Sequence, residues 1–187
     1  MKHQRIILFS LAITLLTVVF LPQIISGNFL KNQKKIGLVG RYTLNNLPYE
    51  ITSLISYGLT IPLPDGSVEP GLAQDWQVEE DGRIYIFSLK DNVSWHDGSK
   101  VIAKDINYNF SDVNVSFLDE KRVKFELKEP FSPFPTVVSR PVFKESLVGL
   151  GDYRVRSIQQ SGQIVRKIVL VPTGKEKKPT LIFHFYP

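Results

Sequence analysis

From residue 36 onwards, apolar and polar side chains alternate in short runs that are separated by Gly, Pro, Asn and Asp. A period of two is typical of β-strands, because successive side chains of a strand point to opposite faces of the sheet. The sequence therefore predicts a β-rich fold with few and short helices. The predicted strands are 76–79, 83–89, 113–118, 122–127, 153–158, 164–171 and 181–186.

Turns that contain glycine divide these strands. Pro64-Asp65-Gly66, Glu80-Asp81-Gly82 and His96-Asp97-Gly98 each place an Asp-Gly pair between two segments, and this pair supplies the positive φ angles of tight turns. We expect Asp81 and Asp97 to accept hydrogen bonds from backbone N–H groups of their turns. The pattern predicts one hairpin across 80–82 and another across 119–121.

Two short helices are predicted. Residues 47–57 place three apolar side chains on one face and end before Gly58, which we expect to act as a C-terminal cap. Residues 103–110 place Ile106 and Phe110 four residues apart, as on one face of a helix. In that second helix Asp105 would lie in the first turn, where a carboxylate complements the helix dipole.

The first 35 residues have a different character. Residues 6–25 contain no charge, follow a basic start and precede a polar, basic stretch; a run of this length can cross a lipid bilayer as one helix. A secretory signal peptide cleaved near Ser26 and Gly27 is the alternative. We expect an uncleaved signal anchor over residues 1–35, with residues after about 30 on the extracellular or periplasmic side of the cell membrane.

Composition narrows the possible chemistry. A chain of 187 residues with 43% hydrophobic residues suits one domain, or one domain plus a membrane segment. The absence of cysteine excludes disulfides and thiolate chemistry, and three histidines make a histidine-rich metal centre improbable. The net charge of +5 lies in residues 1–35, so the remainder is neutral and we expect no nucleic-acid partner.

Several motifs between residues 54 and 187 occur in the order typical of one bacterial family. They include ISYGLT (55–60), EPGLAQDWQVEEDGRIYIFSLKDNVSWHDG (69–98), AKDINYNF (103–110) and GLGDYRV (149–155). With VKFELKEPFSPF (123–134) and PTLIFHFYP (179–187), these segments resemble the bacterial extracellular solute-binding proteins of family 5, the oligopeptide, dipeptide and nickel binders of ABC importers.

This resemblance implies both a fold and a function. The fold would be α+β, an incomplete, β-rich mixed-sheet lobe of the periplasmic-binding-protein-like (class II) type over residues 36–187, preceded by one transmembrane helix. The function would be that of a membrane-tethered substrate-binding component, which binds a peptide or similar solute and delivers it to ABC permease subunits. Relatives continue through a second lobe, so we expect the chain to be truncated. The alternative is a structural or interaction module that kept the lobe fold without solute binding.

The resemblance also assigns roles to residues. The segment Tyr57, Gly58 and Leu59 corresponds to a stretch near the cleft between lobes, so these are the candidate ligand contacts. Other motif residues are expected to be scaffold: Trp76, Asp81, Gly82, Trp95, His96, Asp97, Gly98 and Asp105. No G-x-S-x-G elbow, P-loop or H-E-x-x-H motif is present, so we expect no enzymatic activity, no cofactor and no metal site.

Overall fold

β-Strands make up most of the regular structure. The computed structural model describes residues 32–174 and 176–187. The strands there are β1 (Gln33–Val39), β2 (Thr60–Pro62), β3 (Val68–Pro70), β4 (Ala73–Glu79), β5 (Ile84–Leu89), β6 (Val113–Phe117), β7 (Arg122–Leu127), β8 (Tyr153–Ser161), β9 (Ile164–Pro172) and β10 (Thr180–Tyr186). The helices are α1 (Tyr49–Ile55) and α2 (Phe134–Val137), and 3-10 turns lie at Leu44–Asn46, Glu80–Gly82, Ala103–Asp105 and Glu145–Leu147.

The first of two four-stranded sheets is mixed. Its order is β1-β10-β9-β8, in which β1 runs parallel to β10 and the other pairs are antiparallel. Alternate side chains of β9 and β10 are buried against one face of α1, where Ile51 and Ile55 are fully buried. The short helix is therefore held by burial of its apolar face, since seven residues are too few for a stable isolated helix.

The second sheet is antiparallel, with the order β4-β5-β7-β6. Its inner face is aromatic: Tyr85 and Phe87 of β5 are buried beside Phe125 of β7. Helix α2 closes this core with Phe134, whose ring centroid lies 5.3 Å from that of Phe125. Offset or edge-on ring pairs at such distances are the arrangements that aromatic side chains favour.

Both predicted hairpins are confirmed. Strands β4 and β5 pair across a turn in which Asp81 has a φ of 54° and Gly82 a φ of 95°, so the Asp-Gly pair supplies the left-handed backbone. Strands β6 and β7 pair across 119–121, and the Asp119 carboxylate accepts hydrogen bonds from two backbone N–H groups at the tip. In β5, Ile84 is buried on the face opposite to Tyr85, whereas Ile86 and Ser88 on that face are partly buried.

The predicted helix over 103–110 is wrong. Only the 3-10 turn Ala103–Asp105 forms, and the chain then continues without regular structure. Phe110 instead packs against Phe125 and Phe134, with ring centroids 6.2 Å and 5.8 Å away. The i, i+4 spacing therefore reflects two side chains that reach the sheet core from an irregular segment.

The predicted cap at Gly58 is also wrong. Helix α1 ends at Ile55, and its C-cap is Ser56, which has extended backbone and donates its N–H to Thr52. Gly58 is buried, and a Cβ there would collide with the backbone of Val138. A close crossing of two chain segments explains this glycine, rather than a left-handed helix end.

The predicted membrane segment, 6–25, lies outside the described residues. Among the residues that are described, α1 is the longest helix, and none has the length and apolarity needed to cross a bilayer.

Candidate functional site

Residues 56–59 form a crossing point at which four parts of the chain meet. The Leu59 N–H donates to the Val138 carbonyl at 2.9 Å, and the Leu72 N–H donates to the Gly58 carbonyl at 2.9 Å. From the other side, the Ile55 carbonyl accepts the N–H of Gly151 at 2.8 Å. Extended backbone after a short helix exposes its polar groups, and here those groups are satisfied by neighbouring segments.

Small residues make this crossing possible. Added Cβ atoms at Gly149 and Gly151 would collide with the backbone at the end of α1, and one at Gly71 would lie 2.6 Å from the Gly58 carbonyl oxygen. Beside them the Ser56 hydroxyl donates to the Val142 carbonyl. The glycines of the motifs EPGLAQDW and GLGDYRV therefore allow backbones to approach one another at the crossing point.

Tyr57 borders a first cavity of about 460 Å³. The cavity is lined by Tyr49, Ser53, Leu54, Ser56, Tyr57, Ile61, Pro62, Ser139, Leu150, Gly151 and Asp152. Burial and the nearby negative charge of Asp152 raise the pKa of Tyr57, so its hydroxyl remains protonated and able to donate a hydrogen bond at neutral pH. Gly58 and Leu59 are buried behind it, so contact with a ligand through this segment rests on Tyr57.

A second cavity of about 780 Å³ lies on another side of α1. Tyr49 of this helix lines both cavities, whereas Leu54 lines the first. Three distant segments form its walls. The lining residues are Leu44, Asn45, Asn46, Leu47, Tyr49, Thr52, Asn107, Tyr108, Asn109, Arg140, Pro141, Phe143, Lys144, Ser146 and Leu147. Four asparagine amides and two cations give this cavity a polar surface that both donates and accepts hydrogen bonds.

The two cations of the second cavity differ in their partners. The Lys144 ammonium donates to the carboxylate of Asp97 and to the hydroxyl of Ser99, both at 2.9 Å. Arg140 is exposed and forms no ion pair with any described residue. None of the lining residues carries a carboxylate, so the guanidinium is the unbalanced charge of the cavity.

Tyr108 joins the second cavity to the crossing point. Its hydroxyl donates to the Val138 carbonyl at 2.6 Å and accepts the N–H of Leu59 at 3.1 Å. Burial raises the pKa of Tyr108 above its ordinary value. One side chain therefore fixes the spacing between residues 56–59 and the segment that carries Arg140.

The motif Trp95-His96-Asp97-Gly98 forms hydrogen bonds that hold residues lining the two cavities. Trp95 is buried and its indole N–H donates to the Asp105 carboxylate at 3.0 Å. The Asp97 carboxylate accepts the backbone N–H of Ser99 at 2.9 Å, and hydrogen bonds from Ser99 and Lys144 hold its pKa well below the usual range. Gly98 has a φ of 84°, which suits glycine at this position of the turn.

The His96 ring lies between this turn and residues 149–151. Its Nε2 is 2.9 Å from the Gly151 carbonyl oxygen, and its backbone N–H donates to the Gly149 carbonyl at 3.0 Å. Because a carbonyl only accepts, Nε2 carries the hydrogen. The Nδ1 atom is buried and has no hydrogen-bond partner among the described residues. His96 thus holds in place a wall of the first cavity.

The structure separates the remaining scaffold candidates from both cavities. Trp76 packs against Phe87 with ring centroids 5.8 Å apart, at the edge of the second sheet. Asp81 and Gly82 form the β4–β5 turn. Across residues 32–174 and 176–187, no three His, Asp or Glu side chains are grouped so as to hold a metal ion.

The family to which the chain belongs follows from comparison with known proteins. Residues 67–170, more than half of the chain, match the family model of the bacterial extracellular solute-binding proteins, family 5 Middle. The chain therefore belongs to this family.

Relatives and solved structures agree with this assignment. The probable D,D-dipeptide-binding periplasmic protein DdpA of Escherichia coli is 25% identical over 163 residues, which cover 66% of this chain and 32% of DdpA. A dipeptide-binding protein of Escherichia coli is 36% identical over 78 residues, which cover 41% of this chain and 14% of that protein. The fold is similar to NikZ from Campylobacter jejuni in complex with Ni(L-His), with a TM-score of 0.66, 24% identity, and coverage of 83% of this chain and 39% of NikZ.

The murein tripeptide binding protein MppA of Escherichia coli has the same fold, with a TM-score of 0.66, 18% identity, and coverage of 83% of this chain and 42% of MppA. These comparisons confirm the resemblance to family 5. The chain spans about a third of the length of DdpA and about two fifths of the length of the two solved structures.

Sequence patterns did not indicate the second cavity. Arg140 follows a proline-rich segment with no periodic pattern, and its neighbours in the cavity come from residues 44–52 and 107–109. An arginine between Ser139 and Pro141, in a segment without strand or helix periodicity, was the available signal, because loop residues carry binding groups more often than core strands do.

Proposed function

We propose that the chain is a substrate-binding component of a peptide-type ABC importer, which binds a peptide or similar solute outside the cell and delivers it to permease subunits. The match to family 5 over residues 67–170 carries this proposal. DdpA and the dipeptide-binding protein of Escherichia coli, whose names describe peptide binding, support a peptide as the solute.

Within this proposal, the second cavity is the surface that receives the solute. Its volume is suited to a small peptide. The Arg140 guanidinium matches a terminal carboxylate, with which arginine forms paired hydrogen bonds. The asparagine amides at 45, 46, 107 and 109 suit the N–H and C=O groups of a peptide backbone. Tyr57 remains a proposed second contact, through the first cavity.

A titration followed by nuclear magnetic resonance tests this surface. The full chain, labelled with ¹⁵N in a mild detergent, would receive a tripeptide at millimolar concentration, because an open cavity holds a ligand weakly. We expect shifts at the amides of Asn107 and Asn109, with smaller ones at Leu150 and Gly151. Amidation of the peptide's C-terminus should weaken binding about tenfold, since it removes the charge that Arg140 attracts.

Two arginine variants make the test specific. Arg140→Gln should weaken tripeptide binding as much as amidation does, whereas Arg154→Gln, at an exposed position on β8, should leave binding unchanged. Equal affinity for the acid and the amide would contradict the role of Arg140. A chain that shows no shift with any peptide would favour the alternative, an interaction module that does not bind solute.

We also propose that residues 6–25 tether the protein to the cell membrane, with residues 36–187 as the solute-binding part on the outer side. The uncharged run and its basic flanks support this arrangement. Intact mass of the protein from its source cells tests it: retention of residues 1–35 and resistance to alkaline extraction are expected of an anchor. Loss of those residues would indicate a secreted, cleaved product.

A further inference from the structure

The outer strand β6 turns a set of backbone hydrogen-bonding groups towards solvent. Leu118 donates its N–H to the Arg122 carbonyl at 3.0 Å, and bonded pairs alternate along an antiparallel ladder. Asn114 and Ser116, which lie opposite Glu126 and Lys124, therefore bond to β7. The residues between them, Val113, Val115 and Phe117, direct their N–H and C=O groups to the free edge.

These three residues also carry apolar side chains on the inner face of the sheet. Val115 lies opposite the buried Phe125, and Phe117 opposite the buried Val123. Unlike these two buried partners on β7, Val115 is 38% exposed and Phe117 is 40% exposed. The aromatic core of the second sheet therefore extends to an edge at which it is uncovered.

Charge distinguishes this edge from the other free edges of the two four-stranded sheets. Strand β1 carries two lysines, β8 carries two arginines, and β4 carries Asp75 and Glu79. Strand β6, with the sequence VNVSF, carries no charge. Charged side chains on edge strands prevent unwanted pairing, and two copies of β1, β8 or β4 would bring like charges together.

We propose that β6 pairs with β6 of a second copy of this chain, antiparallel and related by a two-fold axis at Val115. This register places Val115 opposite Val115 of the second copy, and Val113 opposite Phe117 of the second copy. Asn114 then lies opposite Ser116 of the second copy. Apolar side chains meet apolar ones, neutral polar side chains meet each other, and each outward N–H faces a carbonyl. No charged side chain of β6 lies opposite another of the same sign, because the strand carries none.

The pairing is weak and depends on concentration. One strand edge buries less surface than the roughly 1,600 Å² of a standard interface. The association does not depend on solute binding, because none of the residues of β6 lines the second cavity.

Opposite charges at position 115 test both the surface and the register. The full chain would be studied by sedimentation equilibrium in a density-matched detergent. Val115→Lys and Val115→Glu should each weaken self-association about tenfold or more, because the two-fold axis places like charges opposite one another. A 1:1 mixture should restore association as a heterodimer, since lysine then faces glutamate.

Val78→Lys is the matched control. Val78 is an exposed valine on β4, the opposite edge strand of the same sheet, and is 51% exposed. This variant should associate as the unaltered chain does, and melting curves would verify that all variants are folded. A monomeric unaltered chain at the highest attainable concentration would overturn the proposal, as would equal association of the Val78 and Val115 variants or a mixture without heterodimers.

Discussion

The imidazole Nε2 of His96 lies 2.9 Å from the Gly151 carbonyl oxygen and joins two turns that are 55 residues apart in sequence. Residues 149–151 also bond to the end of α1, so this contact links the Trp95-His96-Asp97-Gly98 motif to the first cavity.

Replacement of His96 by alanine should lower the free energy of unfolding by about 1–2 kcal/mol, because the Gly151 carbonyl loses its side-chain donor. His96→Gln is the matched variant, since its amide N–H₂ reaches about as far as the imidazole Nε2. We expect the glutamine variant to recover most of the loss in urea denaturation. Equal destabilisation by both substitutions would show that ring packing, rather than the hydrogen bond, is the contribution of His96.

Gly149→Ala should be among the most damaging single substitutions. The added Cβ would overlap the Ile55 carbonyl and lie 2.9 Å from the Ser56 Cβ, and backbone gives way less easily than a flexible side chain. A loss of about 3 kcal/mol or more is expected in thermal or urea unfolding. Gly37→Ala is the control, because a Cβ there lies 3.3 Å from the Tyr186 ring. Similar stability of the two variants would refute the close crossing.

Tyr108→Phe should change the response to alkaline pH. The folded protein raises the pKa of Tyr108 by burial, whereas an unfolded tyrosine loses its proton near pH 10. Above that pH the unfolded chain releases this proton first, so stability falls as pH rises. The phenylalanine variant should be less stable at neutral pH and show a shallower decline above about pH 10. A slope that is the same in the Tyr108→Phe variant and in the unaltered chain would contradict the prediction.

Asp105 and Trp95 should be energetically coupled. The Asp105 carboxylate accepts hydrogen bonds from the Trp95 indole at 3.0 Å and from the Ile102 N–H at 3.1 Å. Asp105→Ala leaves both donors without this acceptor and should cost about 2–3 kcal/mol. A double-mutant cycle with Trp95→Phe should give a coupling of about 1 kcal/mol. Lys104→Ala, on the exposed neighbour, should have little effect, and additive losses in the cycle would exclude the contact.

The local features of the fold were accessible from the sequence because their causes are local. Asp81 and Gly82 specify a hairpin turn through their own backbone preferences, and alternation along 83–89 specifies a buried strand. The helix predicted over 103–110 failed because Phe110 is held by rings from β7 and α2. Spacing along the chain cannot distinguish a helix face from side chains gathered by a distant sheet.

The candidate site was predictable only in part for the same reason. Tyr57 came from the family resemblance and does border a cavity. Arg140 and Asn107 become neighbours only when residues 44–52, 107–109 and 140–147 meet. Similarly, the sequence predicted that Asp105 lies in the first turn of a helix. It did not indicate that the Asp105 carboxylate accepts a hydrogen bond from the indole of Trp95, ten residues earlier.

The parallel pairing of β1 with β10 has a consequence for the order in which the two sheets can fold. Gln33 pairs with Thr180, so the first strand of the mixed sheet has no partner until residues 180–186 have been made. The antiparallel sheet, by contrast, is built from one continuous stretch, β4 to β7. Contacts between distant residues form slowly. The antiparallel sheet can therefore assemble before β10 is available, and β1 remains unpaired until β10 has been added to the mixed sheet.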